Sequence, residues 1–313
     1  MFNHLPDSVL QMSMIFLSIV IEALPFVLLG CIISGALYVF LTPERVQKLL
    51  PQNKFASIAV GCGLGFFFPS CECGIVPIVN QFVKKGVPNH TAFAFMLTAP
   101  IINPIVIFST FIAFGNSMQY AFLRVVGSLI VAMVIGIWLA YFNQQPIIKD
   151  ATLQQAVTNV NKGGHHHHHE DASNSMRKKS FVQQLGHVLE HSVDEFFDTG
   201  RYLMIGGLIA AAMQTYLPTG VMLTLGSNKV LAVFVMLFLA LAMSLCSEAD
   251  AFIGSSLLSL FGTGPVVGFL VFGPMVDIKN LLMMNRYFST RFIANFVAII
   301  VVCVTGYALV VSL

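Results

Sequence analysis

Apolar runs dominate the chain, and polar residues collect between them rather than alternating within them. Crossing the hydrocarbon core as helix takes roughly 20 apolar residues. By that measure four runs precede a central polar segment, at about 10–41, 55–82, 90–114 and 119–142, and four follow it, at about 199–218, 229–261, 264–285 and 288–312. Several runs exceed what one crossing needs, so tilts or internal breaks are expected. The reading is an all-α polytopic membrane protein of about eight transmembrane segments. The first run is too long, and its N-terminal flank too poor in basic residues, for a cleavable signal peptide.

Three regions follow: a first transmembrane repeat over 1–142, a polar His-rich linker over 143–179, and a second repeat over 180–313. The two outer regions share landmarks at a nearly constant offset. Gly30 stands opposite Gly206 and Glu22 opposite Asp198 at 176 positions, Cys71 opposite Cys246 at 175, and Pro100 opposite Pro274 and Asn103 opposite Asp277 at 174. Such regularity predicts an internal duplication. Residues 180–198 form an amphipathic stretch leading into the fifth run, and the spacing of Phe181, Leu185, Val188 and Leu189 predicts a helix lying at the interface. His187 and His191, four apart on it with Glu190 and Asp194 nearby, read as part of a solvated face, with metal ligation as the alternative. Glu22 and Asp198, near the starts of matching spans, read as interfacial residues, with a place on the transport pathway as the alternative.

Composition agrees with the pattern. Of 313 residues, 57% are hydrophobic and 10% charged, against about 25% charged in soluble domains, and the mean hydropathy is +0.82. The formal net charge of +2, with no basic stripe interleaved with aromatics, gives no footprint for nucleic acid. Lys149, Lys162, Arg177, Lys178 and Lys179 in the linker favour a cytoplasmic location for it. Lys84 and Lys85 agree with that orientation, whereas Arg45, Lys48 and Lys54 do not. All six cysteines lie in apolar segments, so a secreted disulfide framework is not expected, and Cys31, Cys62 and Cys303 read as packing residues. No phosphate loop, dinucleotide fingerprint or HExxH pattern is present, and the chain is not expected to be an enzyme.

The polar residues inside the apolar runs carry the candidate chemistry, because thiols and carboxylates at membrane depth are costly and tend to serve a ligand. In Pro69-Ser-Cys71-Glu72-Cys73-Gly74-Ile-Val-Pro77, two prolines and a glycine argue against a regular helix. An extended segment would turn Cys71 and Cys73 one way and Glu72 the other. Cys246-Ser247-Glu248-Ala249-Asp250 places Cys246 and Asp250 on one helical face. Its two carboxylates fit a cation site or a proton relay. Asn103 beside Pro100 and Pro104, and Asp277 with Lys279 beside Pro274, mark two further breaks, and paired broken helices point to a transporter site. Asp277 and Lys279 also have the spacing for an internal ion pair.

The tract His165, His166, His167, His168 and His169 suits loose capture of zinc or another transition metal; incidental low-complexity sequence is one alternative and a purification tag another, against which stand its internal position and five rather than six histidines.

Taken together, "FFPSCECGIVPIVNQFVKKGVP…TAPIINPIV" and "LCSEADAFIGSSL…FGPMVDIKN" resemble the ArsP/YraQ-like predicted permease family. The resemblance covers both transmembrane halves and omits the linker, and Glu72 stands where the family pattern usually has serine. It implies a cell-membrane permease, with Cys71, Cys73 and Cys246 as soft ligands and Glu248, Asp250 and Asp277 as acidic partners. The substrate expected is a soft metal or metalloid ion or a thiol-containing small molecule, bound between the halves. Membrane lipid and a homo-oligomer or accessory protein are the expected partners. Two other readings stay open: a membrane thiol redox protein using the Cys-x-Cys pair, and a metal-recruiting subunit of a larger complex.

Overall fold

The computed structural model describes residues 7–40, 50–68, 72–142, 147, 181–216 and 229–313. Cys71 and the tract from His165 to His169 therefore lie outside the described residues. Twelve α-helices run through the rest: α1 Asp7–Phe40, α2 Lys54–Leu64, α3 Glu72–Lys84, α4 Asn89–Ile102, α5 Pro104–Ala113, α6 Met118–Tyr141, α7 Phe181–Tyr216, α8 Lys229–Met243, α9 Ser247–Phe261, α10 Thr263–Met275, α11 Ile278–Tyr287 and α12 Thr290–Val311. A single 3₁₀ turn, Gly65–Phe67, extends α2. The molecule is all-helical over these residues.

Four of the described helical stretches are long and apolar enough to cross a membrane: Ser8–Val39, Met118–Tyr141, Thr263–Tyr287 and Thr290–Val311. The pair Asn89–Ile102 and Pro104–Ala113, bent by 41°, makes a fifth if taken as one broken span.

The centre is built from α4 and α10, in which every residue from Thr91 to Ile102 and from Gly264 to Met275 is buried. Their uniform apolarity leaves no face for solvent, as expected of helices enclosed on all sides. On one flank α4 packs against α2 and α6; on the other α10 packs against α8 and α12. Phe93 of α4 meets Phe288, Phe292 and Phe296 edge-on, at ring-centroid distances of 5.2, 5.0 and 5.5 Å. The short helices cross between the flanks, α3 against α11 and α5 against α9, while α1 and α7 pack on each other and on α3 and α11, respectively.

Lipid tails are as apolar as leucine, so helices in a bilayer gain by close approach rather than by escaping water. Gly74 shows this most directly. A Cβ there would stand 2.6 Å from the Phe26 carbonyl oxygen of α1, so only glycine lets these two backbones touch. Gly206 plays the same part between α7 and α11, where a Cβ would meet the Lys279 Cα at 2.9 Å.

Two expectations are corrected here. The lead-in stretch and the fifth run are one uninterrupted 36-residue helix, α7, because nothing between 180 and 216 removes a backbone donor or forces a turn. The segment from Glu72 is helical rather than extended, and α3 runs through Pro77. The N–H groups of a first turn have no intrahelical partner in any case. Pro77, the sixth residue of α3, lies beyond that turn and removes one bond, to the Cys73 carbonyl, which the helix tolerates; Glu72 and Cys73 sit about 100° apart around the helix rather than on opposite faces.

Candidate functional site

Three helix breaks bring polar groups to the middle of the bundle. The first separates the 3₁₀ turn from α3, whose first residue is Glu72. The second lies between α8 and α9, where Ser244 adopts a left-handed φ of 47° and Cys246 takes the N-cap position of α9. The third separates α10 from α11, and Asp277 caps α11 by accepting the Asn280 N–H at 2.6 Å. The N-terminal ends of α3 and α9 meet: the Ser247 hydroxyl donates to Glu72 Oε2 at 3.1 Å across 175 positions of sequence. Helix N-termini carry partial positive charge, which favours carboxylates in a medium of low dielectric.

Glu72 is fully enclosed, with 0% of its surface exposed. Its second oxygen, Oε1, accepts no hydrogen bond. It lies 4.0 Å from Lys279 Nζ, and the same ammonium is 4.0 Å from Asp277 Oδ2. Lys279 thus stands between a carboxylate of α3 and a carboxylate of its own break. The expected Asp277–Lys279 pair is present, but it is one half of a three-membered arrangement that joins the two parts of the chain. A separation of 4.0 Å is longer than a hydrogen bond, so the attraction here is one between charges.

Beside this group opens a small cleft, lined by Ile19, Glu22, Ala23, Phe26, Glu72, Cys73, Cys246 and Lys279. The Cys246 thiol donates to the Glu22 carboxylate. Glu22, on the 34-residue α1, lines the cleft with its carboxylate, as its reading as a pathway residue expects. Asp198, its counterpart in the sequence comparison, pairs with Arg286 at 2.9 Å and also with Arg201.

The remaining sequence candidates sort clearly. Cys73 is buried and lines the cleft. Asp250 is buried beside the Gly273 backbone, within electrostatic reach of Arg124, Glu72, Lys279 and Asp277; it does not line the cleft, and its Oδ2 accepts no hydrogen bond. Glu248 is half-buried on the first turn of α9, within electrostatic reach of Glu72 and Arg124. Asn103 sits at the other bend: its Oδ1 accepts the Ile105 N–H at 3.0 Å, and its Nδ2 donates to the Phe68 carbonyl at 3.4 Å. It caps α5 and does not line the cleft. Among the described residues no cluster of three or more His, Cys, Asp or Glu side chains has the geometry of a preformed metal site.

Arg124 escaped the sequence reading. It is 1% exposed in the middle of the bundle, and its guanidinium donates to the Leu270 carbonyl at 3.0 Å, the Thr110 hydroxyl at 2.8 Å and the Ser247 carbonyl at 2.9 Å. One side chain of α6 thereby ties α5, α9 and α10 together just behind the Glu72–Ser247 contact. The signal was available: Arg124 is the lone charged residue in the run 119–142, and an intramembrane charge is a functional candidate by default.

Known proteins agree with a transport role. A family model described as a predicted permease, ArsP_1, matches residues 8–313. A Streptococcus mutans protein, named as a subunit of a two-component membrane permease complex, is 52% identical over 311 residues, covering 99% of this chain and 98% of its own length. The Bacillus subtilis UPF0718 protein YcgR is 47% identical over 307 residues, 98% of either chain. A more distant UPF0718 protein from Methanocaldococcus jannaschii is 21% identical over 328 residues. No solved structure matches the chain.

Proposed function

The chain belongs to the ArsP_1 family of predicted permeases, and we propose that it is a secondary transporter for a soft metal or metalloid ion or a thiol-containing small molecule. One observation carries this reading. The cleft gathers two sulfurs, from Cys73 and Cys246, with the carboxylates of Glu22 and Glu72 and the ammonium of Lys279. Thiolates and thiols select soft ions over hard ones, and two carboxylates would balance a cationic charge as it enters.

Two matching halves are part of the same proposal, with about eight crossings in all. In support, α3 and α9 begin 175 positions apart and touch at their first residues, and the breaks at Asn103 and Asp277 each cap the helix that follows. Broken helices meeting at mid-bundle suit alternating access by relative movement of the halves. The name of the Streptococcus mutans relative supports a second, separately encoded subunit as partner. The tract His165 to His169 is proposed to gather zinc or a similar ion for delivery, and deleting residues 163–171 would then alter metal sensitivity while leaving flux through the core intact.

Cadmium uptake into proteoliposomes tests the central reading. Wild-type protein is expected to carry Cd²⁺, and Cys73→Ser, Cys246→Ser and Glu72→Gln are each expected to reduce that flux at least tenfold. Unchanged Cd²⁺ flux in all three variants would remove the cleft from the transport route.

A further inference from the structure

A second buried polar cluster lies at the opposite end of α3 from Glu72. Ser34 of α1 donates to the Glu195 carboxylate of α7. His191 Nδ1 lies 3.6 Å from the same oxygen, Glu195 Oε2. The other ring nitrogen, Nε2, is 3.3 Å from the Gln81 amide of α3. The imidazole stacks on Tyr38 of α1 at 4.5 Å between centroids and 23° between planes, and the Tyr38 carbonyl accepts from Lys85 Nζ at 2.6 Å. His191 is therefore packed between helices, not part of the solvated face expected from its spacing. Ser34 is 0%, Gln81 1% and Glu195 7% exposed.

The placement of this cluster gives it meaning. Three helices, α1, α3 and α7, are joined through one carboxyl and one imidazole. Glu72 and Gln81 are nine residues apart on α3, about 14 Å of helical rise. The same short helix therefore presents Glu72 to the cleft and Gln81 to the cluster, and α1 likewise reaches both through Glu22 and Ser34.

We infer that the Ser34–Glu195–His191 cluster is a proton-binding site whose occupancy sets how α3 is held against α1 and α7, and so links pH to the cleft. This rests on the transport reading above. Four titratable groups face Glu195: Cys31 from α1, Lys84 from α3, His191 from α7 itself and Tyr287 from α11. Glu195 precedes the apolar part of α7 and lies outside the helices that qualify as spans. Burial raises its carboxyl to about 7, against the opposing pull of the Ser34 hydroxyl and the Lys84 ammonium. The carboxyl is thus protonated below neutrality and charged above it. The attraction between Glu195 and Lys84, which draws α3 toward α7, is complete above that pH and lost as pH falls through it.

Infrared pH titration of the lipid-embedded protein, paired with Cd²⁺ flux at about pH 6 and about pH 8, tests the assignment. Glu195→Gln is expected to remove one carboxyl band that titrates near neutrality and to flatten a several-fold dependence of flux on pH. Ser34→Ala is expected to move the midpoint of that band upward, because the hydroxyl stabilises the charged form. An identical set of titrating bands in wild type and Glu195→Gln would overturn the inference, as would an unmoved midpoint in Ser34→Ala. If wild-type protein carries no Cd²⁺ at either pH, the substrate reading fails, and the infrared titration still decides the proton site.

Discussion

The bends at Asn103 and Asp277 solve one backbone problem with different side chains. Each residue follows a buried helix, Asn103 directly and Asp277 after Val276, and caps the next. Asn103 satisfies itself locally: one end of its amide accepts from Ile105 and the other donates to Phe68. Asp277 uses one oxygen for the Asn280 N–H and turns the other toward Lys279, 4.0 Å away, which is equally close to Glu72. The neutral version closes its own hydrogen bonds and stays apart from the cleft. The charged version leaves an interaction to be completed by another helix, and that is how a structural break becomes part of a candidate binding site.

Removing the ammonium breaks this contrast most severely. Lys279→Ala leaves Glu72 and Asp277 buried without their shared counter-charge, and loss of one member of such a group costs about 3–5 kcal/mol. Thermal unfolding in detergent is expected to show a large drop, or no folded protein; a stability equal to wild type would mean that the ammonium balances neither carboxylate. A smaller effect is expected of Asp277→Asn, which makes the second bend chemically like the first and can keep the cap. Measured with and without Lys279→Met, it is expected to show a coupling of about 0.5–3 kcal/mol in the double-mutant cycle. Additive effects would mean the 4.0 Å approach carries no energy. Smallest is Asn103→Ala, with a loss of about 1 kcal/mol from the missing cap and no change in Cd²⁺ affinity. A changed affinity would bring the first bend into the site after all.

Much of this architecture was legible in the chain. Long apolar runs gave the helices, and Pro100, Pro104 and Pro274 announced the bends at 103 and 276–277. What stayed hidden was three-dimensional proximity. Nothing local says that Cys246 donates to Glu22, 224 positions away, or that Lys279 faces Glu72 as well as Asp277. The Cys-Glu-Cys segment reads as extended because of its prolines and glycine, yet the one backbone bond lost at Pro77, six residues into α3, does not end the helix. His191 looked solvated because amphipathic spacing tells which residues share a face and not what covers that face.

Arg124 has a consequence for how the protein is made. Its acceptors on α9 and α10, the Ser247 and Leu270 carbonyls, lie 123 and 146 positions downstream. When α6 is made those acceptors have not been synthesised, and Thr110 is the one of the three already in place. A buried charge without its partners is costly among apolar helices. Two of the three groups that satisfy the α6 guanidinium are thus made only after α6 itself, so its hydrogen bonds are complete only once α9 and α10 are in place.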